Sequence, residues 1–187
     1  KQAAIETGIA EGTPIICVTI DAAAQLISDG AIAPGDMMLM YGSTIFIIAL
    51  TDKPVRDARL WYAPWMFAGQ HASMAGLSTS GTLTHWLHDT MGRELETGEA
   101  MRLMAAEAEA SPPGANGVIM LPYFSGERTP IHDPHAKGVI FGLNLTHTRG
   151  DIVRAALEGI AHGTRHVFET FDEAGVSVNN IYAVGGG

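Results

Sequence analysis

The sequence predicts an α/β domain, and three observations carry that expectation. Apolar runs of strand length recur along the chain, at Thr13–Ile20, Met37–Tyr41, Ile45–Leu50 and Asn180–Val184. Segments with helical spacing stand between them. Both kinds meet in the stretch Gly117–Gly163, which runs from an apolar segment (Gly117–Pro122) through a polar loop rich in Pro and His to a β-branched segment (Gly138–Gly142). A short turn at Thr148–Gly150 then enters the longest amphipathic helix, where Val153, Leu157, Ile160, Thr164, Val167 and Phe171 step by three and four, so one face is buried. Asp151 stands in its first turn, where the helix dipole favours an acid.

Composition narrows the class. A chain of 187 residues with 47% hydrophobic and 17% charged residues is one globular domain with enough length to bury a core. No segment is long and apolar enough to span a membrane. Eleven basic residues face 20 acidic ones, for a net charge of −9, which argues against nucleic acid or an anionic membrane as partner. A local site for a phosphorylated ligand stays open. The single cysteine, Cys17, excludes an intrachain disulfide, fits a reducing, cytoplasmic setting, and reads as a small buried hydrophobe. The sequence stops at Gly185-Gly186-Gly187 just after a strand, and a Gly-rich turn normally leads onward, so a segment of a longer protein is expected.

In chain order, Thr13–Ile20 reads as a buried strand, and Ala22–Ser28 as a helix closed by Gly30. Asp21 stands between them. An acid there is a favoured helix start, yet strand C-termini are also where α/β sheets bind ligands. Ala33–Asp36 is a turn, and Met37–Tyr41 with Ile45–Leu50 forms a hairpin about Gly42-Ser43-Thr44. Such a turn can aim backbone N–H groups and two hydroxyls at an anion. Trp61, Tyr62, Pro64 and Trp65 are assigned to packing. Gly69–Ser80 is small and polar and reads as loop or irregular strand. Gly81–Met91 is a helix with Leu83, Trp86, Leu87 and Met91 on one face, and Glu94–Glu109 is a second, structural helix that can pack Met101, Leu103, Met104 and Ala108.

Ser111–Gly117 is a surface loop. Glu127 and Arg128 suit an ion pair pinning their loop, with an anion-positioning role for Arg128 as the alternative. His85 with His88, and His132 with Asp133 and His135, lack the companions and spacing of a zinc site, so no metal ligands are assigned. His162 and His166 read as solvent or interface residues.

Two adjoining blocks carry a resemblance. Gly138 to Glu158, G-V-I-F-G-L and then D-I-V-R-A-A-L-E after seven residues, resembles the C-terminal signature of the FGGY carbohydrate kinases. Leu121–Pro130 (LPYFSGERTP) is similar to their xylulokinase-like branch. The resemblance implies an actin-like, ribonuclease H-like α/β domain with a mixed sheet flanked by helices. It makes residues 1–187 the C-terminal nucleotide-binding domain of a sugar kinase, whose sugar-binding N-terminal domain is a missing partner. The implied reaction is phosphoryl transfer from ATP, with Mg²⁺, to a hydroxyl of a sugar or polyol, a xylulose-like ketose being favoured. By the same resemblance Asp21 is the general base, although Thr19, Ile20 and Ala22 depart from the family's G-G-D-N-A pattern. Gly42, Ser43 and Thr44 cup the nucleotide phosphates, Gly81 and His85 line the nucleotide at a helix start, and Gly185 and Gly186 lie against the adenosine. Asp21 and the Gly42–Thr44 bend are expected to face one cleft. The segment alone is expected to be inactive, and a homodimer is left open. A non-catalytic nucleotide-binding or regulatory module on the same fold is the alternative, as is an unrelated scaffold domain.

Overall fold

A computed structural model describes residues 1–16 and 18–186; Cys17 and Gly187 lie outside the described residues, and with them the reading of Cys17 and the last glycine of the terminal turn. The elements are α1 (Gln2–Thr7), α2 (Asp21–Ser28), β1 (Asp36–Tyr41), β2 (Ile45–Thr51), β3 (Trp61–Pro64), β4 (His71–Leu77), α3 (Gly81–Met91), α4 (Thr97–Ala110), β5 (Ile119–Leu121), β6 (Val139–Phe141), α5 (Arg149–Glu173) and β7 (Asn180–Gly185). Five strands form a sheet in the order β3-β4-β2-β1-β7, and β5 with β6 forms a separate two-stranded ribbon. Strands β3, β4, β2 and β1 pair antiparallel, whereas β7 lies parallel to β1, so the sheet is mixed.

The central strands read as unbroken apolar runs because both of their faces are covered. Met37, Leu39, Ile45, Ile47, Ala49, Ala75 and Leu77 face a core shared with α3, α4 and α5. Met38, Ile48, Leu50 and Ala72 face the other way, under Ala22 and Leu26 of α2 and Ala31. Fully burying a side chain such as Ile47 or Leu26 contributes roughly 1.5–3 kcal/mol, which gives the sheet one thick layer and one thin one. After α2 the chain reverses at once: Ala31 N–H donates to Leu26 and Gly35 N–H to Leu50 at the end of β2. The C-terminal end of α2 is therefore tied to the end of the sheet where β1 begins.

Helix α5 is fastened at its start. Thr148 and Asp151 form a reciprocal capping box, and Asp151 also accepts from Ser111 Oγ (2.7 Å) and Asn116 Nδ2 (2.8 Å). These contacts, the Ser111 hydroxyl first, hold its carboxyl far below the ordinary carboxylate range. Arg149 makes a two-pronged ion pair with Glu107 of α4 and donates to the Met91 carbonyl at 2.8 Å, so α3, α4 and α5 share one anchor.

Three expectations are corrected. Apart from Cys17, the Thr13–Ile20 run is neither a strand nor buried: Ile15, Ile16 and Val18 are each at least 80% exposed. A strand needs a neighbour, and no described strand pairs with it. The small, polar stretch 69–80 contains a full strand, β4, paired on both sides. Its small residues are a requirement of packing, since a Cβ at Gly76 would come within 2.4 Å of the Ile45 carbonyl. Helix α4 begins at Thr97, where Glu96 accepts from the N–H groups of Gly98 and Glu99 and so sets the boundary; Ala100, Met104 and Ala108 carry the packing while Leu103 is exposed. The aromatic assignment to packing fits the structure, with Trp61 against Phe46 and Trp65 in the α2-side core.

Candidate functional site

Three backbone turns from distant parts of the chain meet at one end of the sheet. The β1–β2 turn is closed by the Gly42 N–H donating to the Thr44 carbonyl at 3.0 Å. The start of α3 clasps its outward carbonyls: Ser80 and Thr82 donate to Ser43, and Gly81 donates to Gly42, at 3.0–3.2 Å. The third turn follows β7, where Gly186 N–H donates to the Tyr41 carbonyl at 3.1 Å. Two glycines make the approach possible. A Cβ at Gly81 would lie 2.8 Å from the Gly42 carbonyl oxygen, and one at Gly185, whose φ is +111°, would overlap the Tyr41 carbonyl.

Between these turns and α5 opens a cleft of about 470 Å³, lined by Gly42, Ser43, Ser80, Gly81, His85 and Gly186, with Leu157, Ile160 and Ala161 of α5 as its apolar wall. That volume suits a small organic ligand. Leu157, assigned from spacing to the buried face, instead fronts the cleft and is 42% exposed. At the tip, the N–H groups of Ser43 and Thr44 and both hydroxyls have no hydrogen-bond partner among the described residues. Among the described residues no Lys or Arg lines the cleft. An anion there would be held by backbone N–H groups and hydroxyls.

Five of the seven residues expected to hold a nucleotide therefore line one cleft: Gly42, Ser43, Gly81, His85 and Gly186. Thr44 and Gly185 adjoin that lining in the chain without being part of it. Asp21 is not brought into that cleft. It opens α2 on the thin face of the sheet, whereas the cleft opens on the α5 face; its side chain is exposed, and Oδ1 accepts from the Ala22 N–H at 2.7 Å. Asp21 and the cleft thus belong to opposite faces of the sheet, and the expected common cleft is not formed among the described residues.

Sequence reasoning missed two features. The supposed Glu127–Arg128 ion pair is absent; Glu127 Oε1 instead accepts from the N–H groups of Ser78 and Arg128, and only its burial could have flagged it. Secondly, His162 and His166 line a groove of about 510 Å³ with Tyr123, Glu158 and the backbone of β5. That groove is larger than the cleft, but its one carboxylate, Glu158, is already engaged, with Arg154 and with the Gly114 N–H. Chemistry outweighs size, and the turn-built cleft is the candidate site.

A family model, the FGGY family of carbohydrate kinases, C-terminal domain, matches residues 37–187. The chain belongs to that family. It is 28% identical to the gluconokinase of Bacillus subtilis (strain 168) over 99% of this chain and 38% of the relative, and 29% identical to the same organism's xylulose kinase over 98% and 36%. Among solved structures, the xylulose kinase from Rhodospirillum rubrum superposes with a TM-score of 0.83 at 32% identity, over 97% of this chain and 36% of that one. This FGGY domain thus spans a little over a third of the length of the relatives it matches, and its fold is the actin-like ATPase fold of the sugar kinases.

Proposed function

We propose that this FGGY domain is the nucleotide-binding part of a longer, cytoplasmic kinase that transfers the γ-phosphoryl group of ATP to a hydroxyl of a sugar or polyol, a xylulose-like ketose being favoured. The observation that carries the reading is the cleft: a tip with two N–H groups and two hydroxyls free among the described residues, held in place by glycine turns that let backbone meet backbone. The Ser43 and Thr44 N–H and hydroxyl groups hold phosphate oxygens. Gly81, His85, Gly185 and Gly186 present the wall for the nucleoside, while Leu157 and Ile160 keep water from it. Asp21 takes the proton from the acceptor hydroxyl, whose oxygen bonds to the γ-phosphorus as the bond to the bridging oxygen breaks and ADP leaves. ATP supplies the phosphoryl group. Among the described residues the cleft's lining holds no carboxylate for Mg²⁺.

In this reading the acceptor sugar sits above the tip, between Asp21 and the phosphates, covered by the N-terminal domain of the longer protein, and the exposed Ile15, Ile16, Val18 and Ile20 are part of that junction. The xylulose preference rests on Leu121–Pro130 and on the likeness to xylulose kinases. Purified intact protein, screened with ketoses, polyols and sugar acids, should release ADP only when the right acceptor is present. Failure with every acceptor, together with tight ADP binding, would favour the second reading, a non-catalytic nucleotide-binding module. The Ile20 and Ala22 flanks of Asp21 and its separation from the cleft are what favour that alternative.

A further inference from the structure

The loop that follows β5 carries a second chain of contacts to the cleft. Glu127 is only 4% exposed, and its Oε1 accepts from Ser78 N–H at 2.8 Å and Arg128 N–H at 2.7 Å. Around it, Arg128 Nε donates to Ser78 Oγ at 3.3 Å, Thr129 N–H donates to the Gly76 carbonyl at 3.2 Å, and Glu127 N–H to Asp133 at 2.8 Å. The loop thus grips the last residues of β4. Two residues beyond Ser78, the N–H groups of Ser80, Gly81 and Thr82 clasp the hairpin tip. From the same loop, Phe124 packs on Trp86 of α3 with ring centres 4.9 Å apart. The fold could satisfy the Ser78 N–H with a neighbouring strand or water; it uses a buried carboxyl from 49 residues away, and the other oxygen of that carboxyl, Oε2, is buried without a partner. A group retained at that cost has a task beyond filling space.

We infer that Glu127 is a positioning residue for the nucleotide cleft: through the Ser78 N–H it fixes the Ser80–Thr82 turn, and through that turn the Gly42–Thr44 tip. The inference rests on the proposed kinase reading for its activity readout, and on the backbone contacts alone for its structural one. Since Oε1 makes every bond and burial pushes the carboxyl above its ordinary range, the neutral amide of glutamine can take its place.

The test compares Glu127→Ala and Glu127→Gln with wild type, all as intact protein. Amide hydrogen exchange without nucleotide should show Ser80–Thr82 exchanging at least about tenfold faster in Glu127→Ala, as expected when one buried bond is lost and its donor left unpaired. Glu127→Gln should match wild type. KM for ATP should rise about tenfold in the alanine variant with KM for the sugar little changed, and the glutamine variant should restore it. If the wild type has no kinase activity, the kinase reading fails, and the ADP dissociation constant replaces KM. Unchanged exchange at Ser80–Thr82 in Glu127→Ala overturns the inference whatever the activity. So does faster exchange with unaltered nucleotide affinity. Should the alanine variant not fold, a glutamine variant with a weakened KM for ATP overturns it as well.

Discussion

Gly81→Ala tests whether the cleft depends on backbone approach. The new Cβ would stand 2.8 Å from the Gly42 carbonyl oxygen, 3.3 Å from its carbon and 3.5 Å from Ser43 Cα. Ordinary contact begins near 3.4 Å, so the tip must retreat by about 0.6 Å. That shift stretches the bonds from Ser80, Gly81 and Thr82 together, because all three end on Gly42 and Ser43. Overpacking costs about 1–3 kcal/mol, and alanine returns up to about 1 kcal/mol of helix propensity. Net stability should fall by roughly 0–3 kcal/mol, which at about 2–4 °C per kcal/mol is a modest drop in Tm. Binding should suffer more. A displaced tip loses one or more hydrogen bonds to a charged phosphate, at roughly 1.5–3 kcal/mol each, or about 10–100-fold in ADP affinity. Calorimetric titration of the intact protein, alongside its melting curve, measures both. Wild-type affinity with an unchanged or higher Tm would refute the close-approach argument.

Asp21→Asn should leave nucleotide affinity near that of wild type and reduce sugar-dependent turnover by at least about 10²-fold; steady-state kinetics with saturating ATP checks it, and unaltered turnover removes Asp21 from the mechanism. Ser43→Ala keeps the tip N–H but deletes one hydroxyl bond to a charged phosphate, worth roughly 1.5–3 kcal/mol, so ADP should bind about 10–100-fold more weakly in the same titration. The Asp57 carboxyl is lowered to about 2, first by its hydrogen bond from the Arg59 side chain and then by the Arg59 N–H. A depressed folded value stabilises the fold above the unfolded value near pH 4 and is lost as pH falls through 2. Arg59→Ala should therefore flatten the acid limb of a stability-against-pH curve over that window. Glu127 has the opposite sign: its raised folded value costs stability as pH rises above the ordinary glutamate range. Glu127→Gln should accordingly gain on wild type in denaturant midpoints at pH 8 relative to pH 4.

The fold was legible where burial is two-sided or periodic. Runs such as Met37–Tyr41 and Ile45–Leu50 are apolar throughout because cores press on both faces of the sheet, and α5 announces itself by its three-and-four stepping. Strand β4 is only half legible, as one of two readings beside a loop, since the residues that let β2 come close, Ala72, Ala75 and Gly76, carry no strand signal of their own. The Thr13–Ile20 run erred the other way. Its composition is that of a buried strand, but burial belongs to a neighbour, and composition cannot say whether the neighbour is in the same stretch of chain. Helix α4 was misplaced at its start because Glu96 acts there through its side chain as a cap, which spacing does not register.

The site divides along the same line. Glycine is the one residue whose presence reports what the backbone must do, so a cleft built from turns leaves a readable trace. Gly42, Gly81, Gly185 and Gly186 each sit where main chain meets main chain, and the family resemblance needed only their order to gather them. Glu127 leaves no such trace, because a glutamate in a loop is ordinarily a solvated one and only its 4% exposure distinguishes it. Asp21 is a third case: its place at a helix start is fixed by its own segment, but its distance from the phosphates depends on what lies across the end of the sheet. A carboxylate on one side of the tip and a nucleotide cleft on the other can serve one reaction only if the acceptor is held above the tip itself. That is the position the N-terminal domain must present in the kinase reading. Crosslinking a cysteine placed at Gln25, on the exposed side of α2, to that domain in the intact protein should therefore respond to the acceptor sugar as well as to ATP, and a response to neither would leave Asp21 as nothing more than the first residue of its helix.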